Sequence, residues 1–178
     1  MKLHARVKEV LVRCKALMYG EFTLASGKKS PYYIDIKKAS TDPDVLETIA
    51  DEMAREVQLR GLRYDKIAGV VLGSIPLAVA LSLRTKVPYI MVRRDKKDHG
   101  TQKMIEGSLE AGERVLMVED VITSAGSVVE AIGIVRAAGG IVEDVLCVVN
   151  RQEGGEAKLR DIDVRLSSLV TAEEILRR

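Results

Sequence analysis

Cysteine is scarce in this chain of 178 residues: Cys14 and Cys147 are the only two. Both stand in apolar, periodic segments, so two core thiols are expected rather than a disulfide or a cysteine-built metal site. Net charge is nearly absent as well, since 28 basic and 26 acidic side chains leave +2. No global field therefore calls for nucleic acid or a membrane surface, and any basic function must be local. No apolar run approaches the roughly 20 residues of a membrane span. The opening "MKLHARVKEVLVRCK" is broken by charges throughout and lacks the apolar stretch of a signal peptide. A cytoplasmic chain without nucleic-acid or membrane partners is the expectation. Three phosphate and nucleophile motifs are missing too. Without G-x-x-x-x-G-K-[ST] or G-x-G-x-x-G, neither a nucleoside triphosphatase nor a dinucleotide-binding fold is indicated. Without a G-x-S-x-G elbow, a serine hydrolase is disfavoured.

The composition is that of an ordinary soluble domain, with 47% hydrophobic and 30% charged residues. Helical and strand periods alternate. Leu3, Val7, Val10, Leu11, Cys14, Leu17 and Met18 fall at helical spacing, with Gly20 as the stop. A second helix is expected after a cap at Thr41 or Asp42, with Pro43 in its first turn, an apolar stripe from Val45 to Val57, and Gly61 as its end. "KIAGVVL", "VPYIMV", "RVLMVED" and "IVEDVLCVVN" read as strands, and "IPLAVALSLR" and "AGSVVEAIGIVRAAGG" as helices between them. Fully apolar strands alternating with helices predict an α/β fold, a Rossmann-like parallel sheet covered on both faces. We expect one domain over residues 1–178, with a core at about 41–150. Residues 1–40 and 151–178 are expected to form a small flanking hood.

One stretch carries chemistry. "VLMVEDVITSAGS", residues 115–127, runs as an apolar strand into Glu119 and Asp120, then into a loop of small hydroxylic residues that opens a helix. Ligands of open parallel sheets bind outside the carboxyl ends of the strands. A helix start offers unpartnered N–H groups and the positive end of a dipole, which suits a phosphate. Paired carboxylates just ahead of it are placed to accept hydrogen bonds from vicinal hydroxyls of a sugar bearing that phosphate. Two adjacent acids on a buried strand repel each other, which argues that something compensates them; an acidic turn that merely caps the helix is the alternative.

The stretch resembles the ribose-phosphate signature of the type I phosphoribosyltransferases. Two further segments resemble the orotate phosphoribosyltransferases within that group. "GEFTLASGKKSPYYIDI", residues 20–36, is similar to their acceptor-site segment, and "RRDKKDHG", residues 93–100, to their catalytic loop. The resemblance implies that the donor, 5-phosphoribosyl 1-pyrophosphate, is held by Arg93, Arg94, Lys97, His99 and the run Glu119, Asp120, Val121, Ile122, Thr123, Ser124, Ala125, Gly126 and Ser127. It implies catalytic roles for Lys97, His99 and Asp120. It further implies an orotate site formed by Tyr33, Ile34, Thr123 and Arg151, the last lying in "NRQEGG". Magnesium with few or no protein ligands, and a homodimer with sites shared across the interface, are implied in the same way. Ala25, the lysine-free "VVLGSIP" and Glu119 depart from the commoner pattern. A phosphoribosyltransferase for another base, or a non-catalytic sensor of the donor, is the alternative reading.

Overall fold

The computed structural model describes residues 5–23, 29–94 and 103–177. Two strands, β1 (Leu17–Thr23) and β2 (Lys29–Ile34), form an antiparallel hairpin. The others build a six-stranded sheet in the order β5-β4-β3-β6-β7-β8. Its members are β3 (Lys66–Val70), β4 (Tyr89–Val92), β5 (Ile105–Glu106), β6 (Arg114–Ile122), β7 (Ile141–Asn150) and β8 (Arg165–Thr171). All neighbours pair parallel except β4 with β5.

Helices cover both faces, as apolar strands require. On one side lie α1 (Ala5–Arg13), α2 (Ile36–Ala39), α3 (Pro43–Arg60) and α4 (Ile75–Thr85), packed with Leu116 and Val118 of β6 and Leu146 and Val148 of β7. On the other lie α5 (Gly126–Ala137) and α6 (Gly155–Arg160), packed with Val115 and Met117 of β6 and Val145 and Cys147 of β7. The alternation along β6 is the two-residue period of a strand. A short α7 (Ala172–Leu176) closes the chain behind a capping box of Thr171 and Glu174.

Local chemistry explains the ends of these elements. The α3 helix starts on Asp42, whose carboxylate accepts from the N–H groups of Asp44 and Val45, and stops at Gly61 with φ 60. The first helix is shorter than its periodicity predicts. It ends at Arg13, Lys15 turns into the left-handed region, and Leu17 and Met18 pair with Ile34 and Tyr33 as strand β1. The apolar positions continue in phase across that break, so the pattern could not show it. Strand β3 likewise stops at Val70, and Leu72 is 72% exposed in the following turn. The tail beyond Asn150 contributes more than a cover, because β8 lies in the main sheet beside β7. Its half-polar sequence hid that pairing, with Ser167 buried and Arg165 exposed. Among the described residues no helix is long and apolar enough to cross a membrane.

Candidate active site

The chain order of the sheet reverses between β3 and β6. From β3 it proceeds by α4 to β4 on one side, while β6 leads by α5 to β7 on the other. The loops after β3 and β6 therefore leave toward opposite faces and open a crevice at the carboxyl ends, the place where open α/β sheets bind ligands. Glu119 and Asp120 stand on its floor.

The two acids face opposite ways. Asp120 shares the face of Val118, 18% of its side chain is exposed, and its Oδ2 lies 3.9 Å from Lys37 Nζ. Its Oδ1 accepts the Val121 N–H at 2.7 Å, which fixes the carboxylate. Glu119 is 7% exposed and accepts a 2.6 Å bond from the Ser74 hydroxyl, itself 1% exposed. Burial raises the Glu119 carboxyl to about 7, and the Asp120 charge pushes the same way while the Ser74 bond opposes it. Cys147, beside Glu119 across the β6–β7 pairing, is pushed up as well, first by burial and then by that acid.

Gly73 lies against Asp120. A Cβ built there would overlap Asp120 Oδ2 and sit 3.1 Å from Lys37 Cε, so only glycine lets this turn close over the acid. The peptide joining Val71 and Leu72 in the same loop is cis.

The β6–α5 loop is open by contrast. Thr123, Ser124 and Ser127 are exposed, and Ala125 adopts the left-handed conformation with φ 58 at the helix start. No side chain caps α5, so its first N–H groups face outward with the positive end of the helix dipole. A Cβ added at Gly126 would meet nothing within 4 Å. Arg94 reaches this helix start, with Nη1 3.2 Å from Ser127 Oγ and 3.7 Å from Glu130 Oε2. Arg93 extends β4, its N–H bonded to the Met104 carbonyl. Lys97 and His99 lie outside the described residues, as does Ala25.

Arg151 enters from the end of β7. Its N–H donates to the Ile122 carbonyl, and its side chain, 9% exposed, lies 4.7 Å from the centre of the Tyr32 ring. Its guanidinium donates to Glu153 at 2.8 Å and to Ser30 at 3.4 Å. Tyr33 is 39% exposed and packs its ring 5.6 Å from that of Phe22, while Ile34 is half-buried. The Gly155 N–H donates to the Thr123 carbonyl at 3.0 Å, and a Cβ at Gly155 would come within 2.7 Å of that oxygen. The "NRQEGG" segment thus braces the β6–α5 loop from outside. Lys37, Ser30 and Gly155 were not singled out from sequence. The glycine pair was the one visible signal, while the contacts of Lys37 and Ser30 span 83 and 121 residues and leave no local trace. Among the described residues no cluster of three or more metal-binding side chains occurs.

The comparisons with known proteins agree with this layout. The phosphoribosyl transferase domain family matches residues 41–175. The orotate phosphoribosyltransferase of Methanosarcina mazei is 50% identical over 167 residues, covering 94% of this chain and 88% of that protein. The crystal structure of orotate phosphoribosyltransferase from Aeropyrum pernix has a TM-score of 0.81 at 33% identity, covering 96% of each chain. That of the Mycobacterium tuberculosis enzyme in complex with 5-phospho-α-D-ribosyl 1-diphosphate has a TM-score of 0.79 at 28% identity, covering 97% of this chain and 98% of that one. The family match over most of the chain and these identities show that the chain belongs to the phosphoribosyl transferase family, among the orotate phosphoribosyltransferases.

Proposed function

We propose that this crevice transfers the 5-phosphoribosyl group of 5-phosphoribosyl 1-pyrophosphate to N1 of orotate. The products are orotidine 5'-monophosphate and pyrophosphate, a step of pyrimidine biosynthesis. The observation that carries this reading is the acid pair standing directly before an uncapped helix start at the sheet's switch point. The C1–O bond to pyrophosphate breaks, the N1–C1 bond forms, the N1 proton is released, and pyrophosphate keeps the bonding electrons. Positive charge develops on the ribose between these events.

The site residues divide the work of that sequence. The α5 N-terminus and the hydroxyls of Thr123, Ser124 and Ser127 take the 5'-phosphate, and Arg94 adds a cation beside Ser127. Asp120 accepts from the ribose hydroxyls and stabilises the cationic sugar. Arg93, Arg94, Lys97 and His99 are assigned to the departing diphosphate. Arg151, over the Tyr32 ring, is assigned to the orotate carboxylate, where its fork can bind bidentately. Thr123 and the backbone at Tyr33 and Ile34 complete the acceptor site. The chemistry is mainly positioning and electrostatics.

Magnesium fits such a site when the donor's own oxygens carry it. Glu119 and Asp120 would face the ion with compensating negative charge, and its ligands would come mainly from the donor. When bound, the ion neutralises the leaving group. We assign residues 1–178 to one domain, with the β1–β2 hairpin as part of its hood. We place the protein in the cytoplasm as a two-fold dimer whose subunits exchange the segment bearing Lys97 and His99. Co-refolding inactive Lys97→Ala with inactive Asp120→Asn tests the exchange, because each mixed dimer then owns one sound site and recovers part of the activity. Mixed dimers that stay inactive place the segment in its own subunit.

The direct assay mixes protein, donor and magnesium with orotate, uracil or a purine in turn. Loss of orotate absorbance with release of pyrophosphate is expected. Turnover of another base, with orotate inert, refutes the assignment.

A further inference from the structure

Ser74 has a hydroxyl that the transfer chemistry leaves without a task, yet it is placed with care. It is 1% exposed, and its bond to Glu119 Oε2 spans 2.6 Å. The bond joins the loop after β3 to strand β6 across 45 residues of sequence, at the switch point itself. The preceding residue, Gly73, lies against Asp120 because it lacks a Cβ. One turn therefore meets both acids, the first through a hydroxyl and the second through a missing side chain. Ser74 also starts α4 without capping it by its side chain, so the hydroxyl is committed to Glu119 rather than to its own helix.

The surroundings of Glu119 leave Ser74 as its strongest partner. On its own strand are the Asp120 N–H, a longer donor at 3.3 Å, and the Asp120 charge, which opposes ionisation. On β7 stands Cys147, fully buried. Among the described residues no lysine or arginine is a cause of its shift. A carboxylate so enclosed can be held in one orientation, with one oxygen left for a sugar hydroxyl, only by a donor as short as the Ser74 hydroxyl.

We infer that Ser74 is a positioning residue for the donor: its hydroxyl holds Glu119 in the orientation and ionised form that accept a ribose hydroxyl. The inference rests on the phosphoribosyl transfer reading given above. It extends that reading by giving the loop after β3 a task in holding the ribose.

Binding of 5-phosphoribosyl 1-pyrophosphate with magnesium is measured by calorimetry on wild type, Ser74→Ala, Glu119→Gln and the double variant, alongside steady-state kinetics across pH. Ser74→Ala weakens donor binding and raises the donor KM about tenfold, while the orotate KM stays unchanged. The acid limb of donor kcat/KM moves to higher pH by about one unit, because the carboxylate has lost the bond favouring its charge. In the Glu119→Gln background the same substitution has little further effect, since the hydroxyl acts through that acid. Ser74→Cys keeps the buried volume with a weaker donor and falls between wild type and alanine. It serves in place of alanine should Ser74→Ala not fold. An unchanged donor KM and acid limb, or an equal loss with and without Glu119, overturns the inference. Wild-type protein that binds no donor overturns the underlying reading and the inference with it.

Discussion

The two loops that frame the crevice are built on opposite principles. The loop after β3 is packed: Ser74 is buried, and Gly73 has no space for even one more carbon beside Asp120. The loop after β6 is open: its hydroxyls are exposed, Gly126 has free space, and α5 begins without a side-chain cap. Both contain glycine next to small residues, and by composition they look alike. The packed loop fixes the carboxylates. The open loop leaves N–H groups and hydroxyls facing the crevice. Glycine serves the first by fitting against protein and the second by leaving room for something else.

Breaking the packed loop has the largest expected effect. In Gly73→Ala the new Cβ meets the end of the Asp120 side chain rather than backbone, so the fold survives and the acid moves. Activity falls by about 100-fold in kcat/KM with a near-native melting temperature, as a displaced catalytic group demands. Full activity in this variant refutes the claim that Gly73 seats Asp120.

Filling the open loop comes next. Gly126→Val places a branched side chain over the first turn of α5, where nothing of the protein resists it. The donor KM rises more than about tenfold while the melting temperature stays within a few degrees. Stability loss without a change in KM contradicts the open character of the loop.

Gly155→Ala sharpens the contrast from the side. Its Cβ would lie 2.6 Å from Ile122 Cγ2 and 2.7 Å from the Thr123 carbonyl, so the open loop must shift at its root. We expect a loss of about 1–3 kcal/mol in denaturant unfolding together with a smaller rise in donor KM. A fully stable variant shows that the brace is dispensable.

The smallest effect is a slope. With Glu119 raised from 4.5 to about 7, the ligand-free fold keeps a proton that the unfolded chain gives up between those values. Stability from this group is present in full below about pH 4.5 and is lost as pH rises through about 7. Glu119→Gln flattens the dependence over that window by about 2–3 kcal/mol, read from unfolding at pH 5 and pH 8. Parallel curves for the two proteins refute the shift.

The open loop was the legible half of the site. Its apolar strand, paired acids and small residues are contiguous, so one stretch of sequence displays the whole arrangement. The packed loop was legible only as the segment "VVLGSIP", where the resemblance leaves Gly73 and Ser74 to offer backbone N–H groups to the diphosphate; the contacts between residues 73–74 and 119–120 exist only through the sheet order. The fold divides in the same way. The central strands were readable as apolar runs, and α3 from Asp42 and Gly61. The hairpin strand β1 was hidden by an apolar period that runs through the turn at Lys15. Strand β8 was hidden because an edge strand buries a serine and leaves an arginine outside, where Arg165 pairs with Asp144.

A crystal structure with 5-phosphoribosyl 1-pyrophosphate bound tests the division of labour between the two loops most directly. The account predicts the 5'-phosphate on the N–H groups at the start of α5, between Thr123 and Ser127, with the ribose hydroxyls turned toward Asp120 and Glu119. A 5'-phosphate seated at the start of α4, beside Ser74, with the α5 end left to solvent, contradicts it.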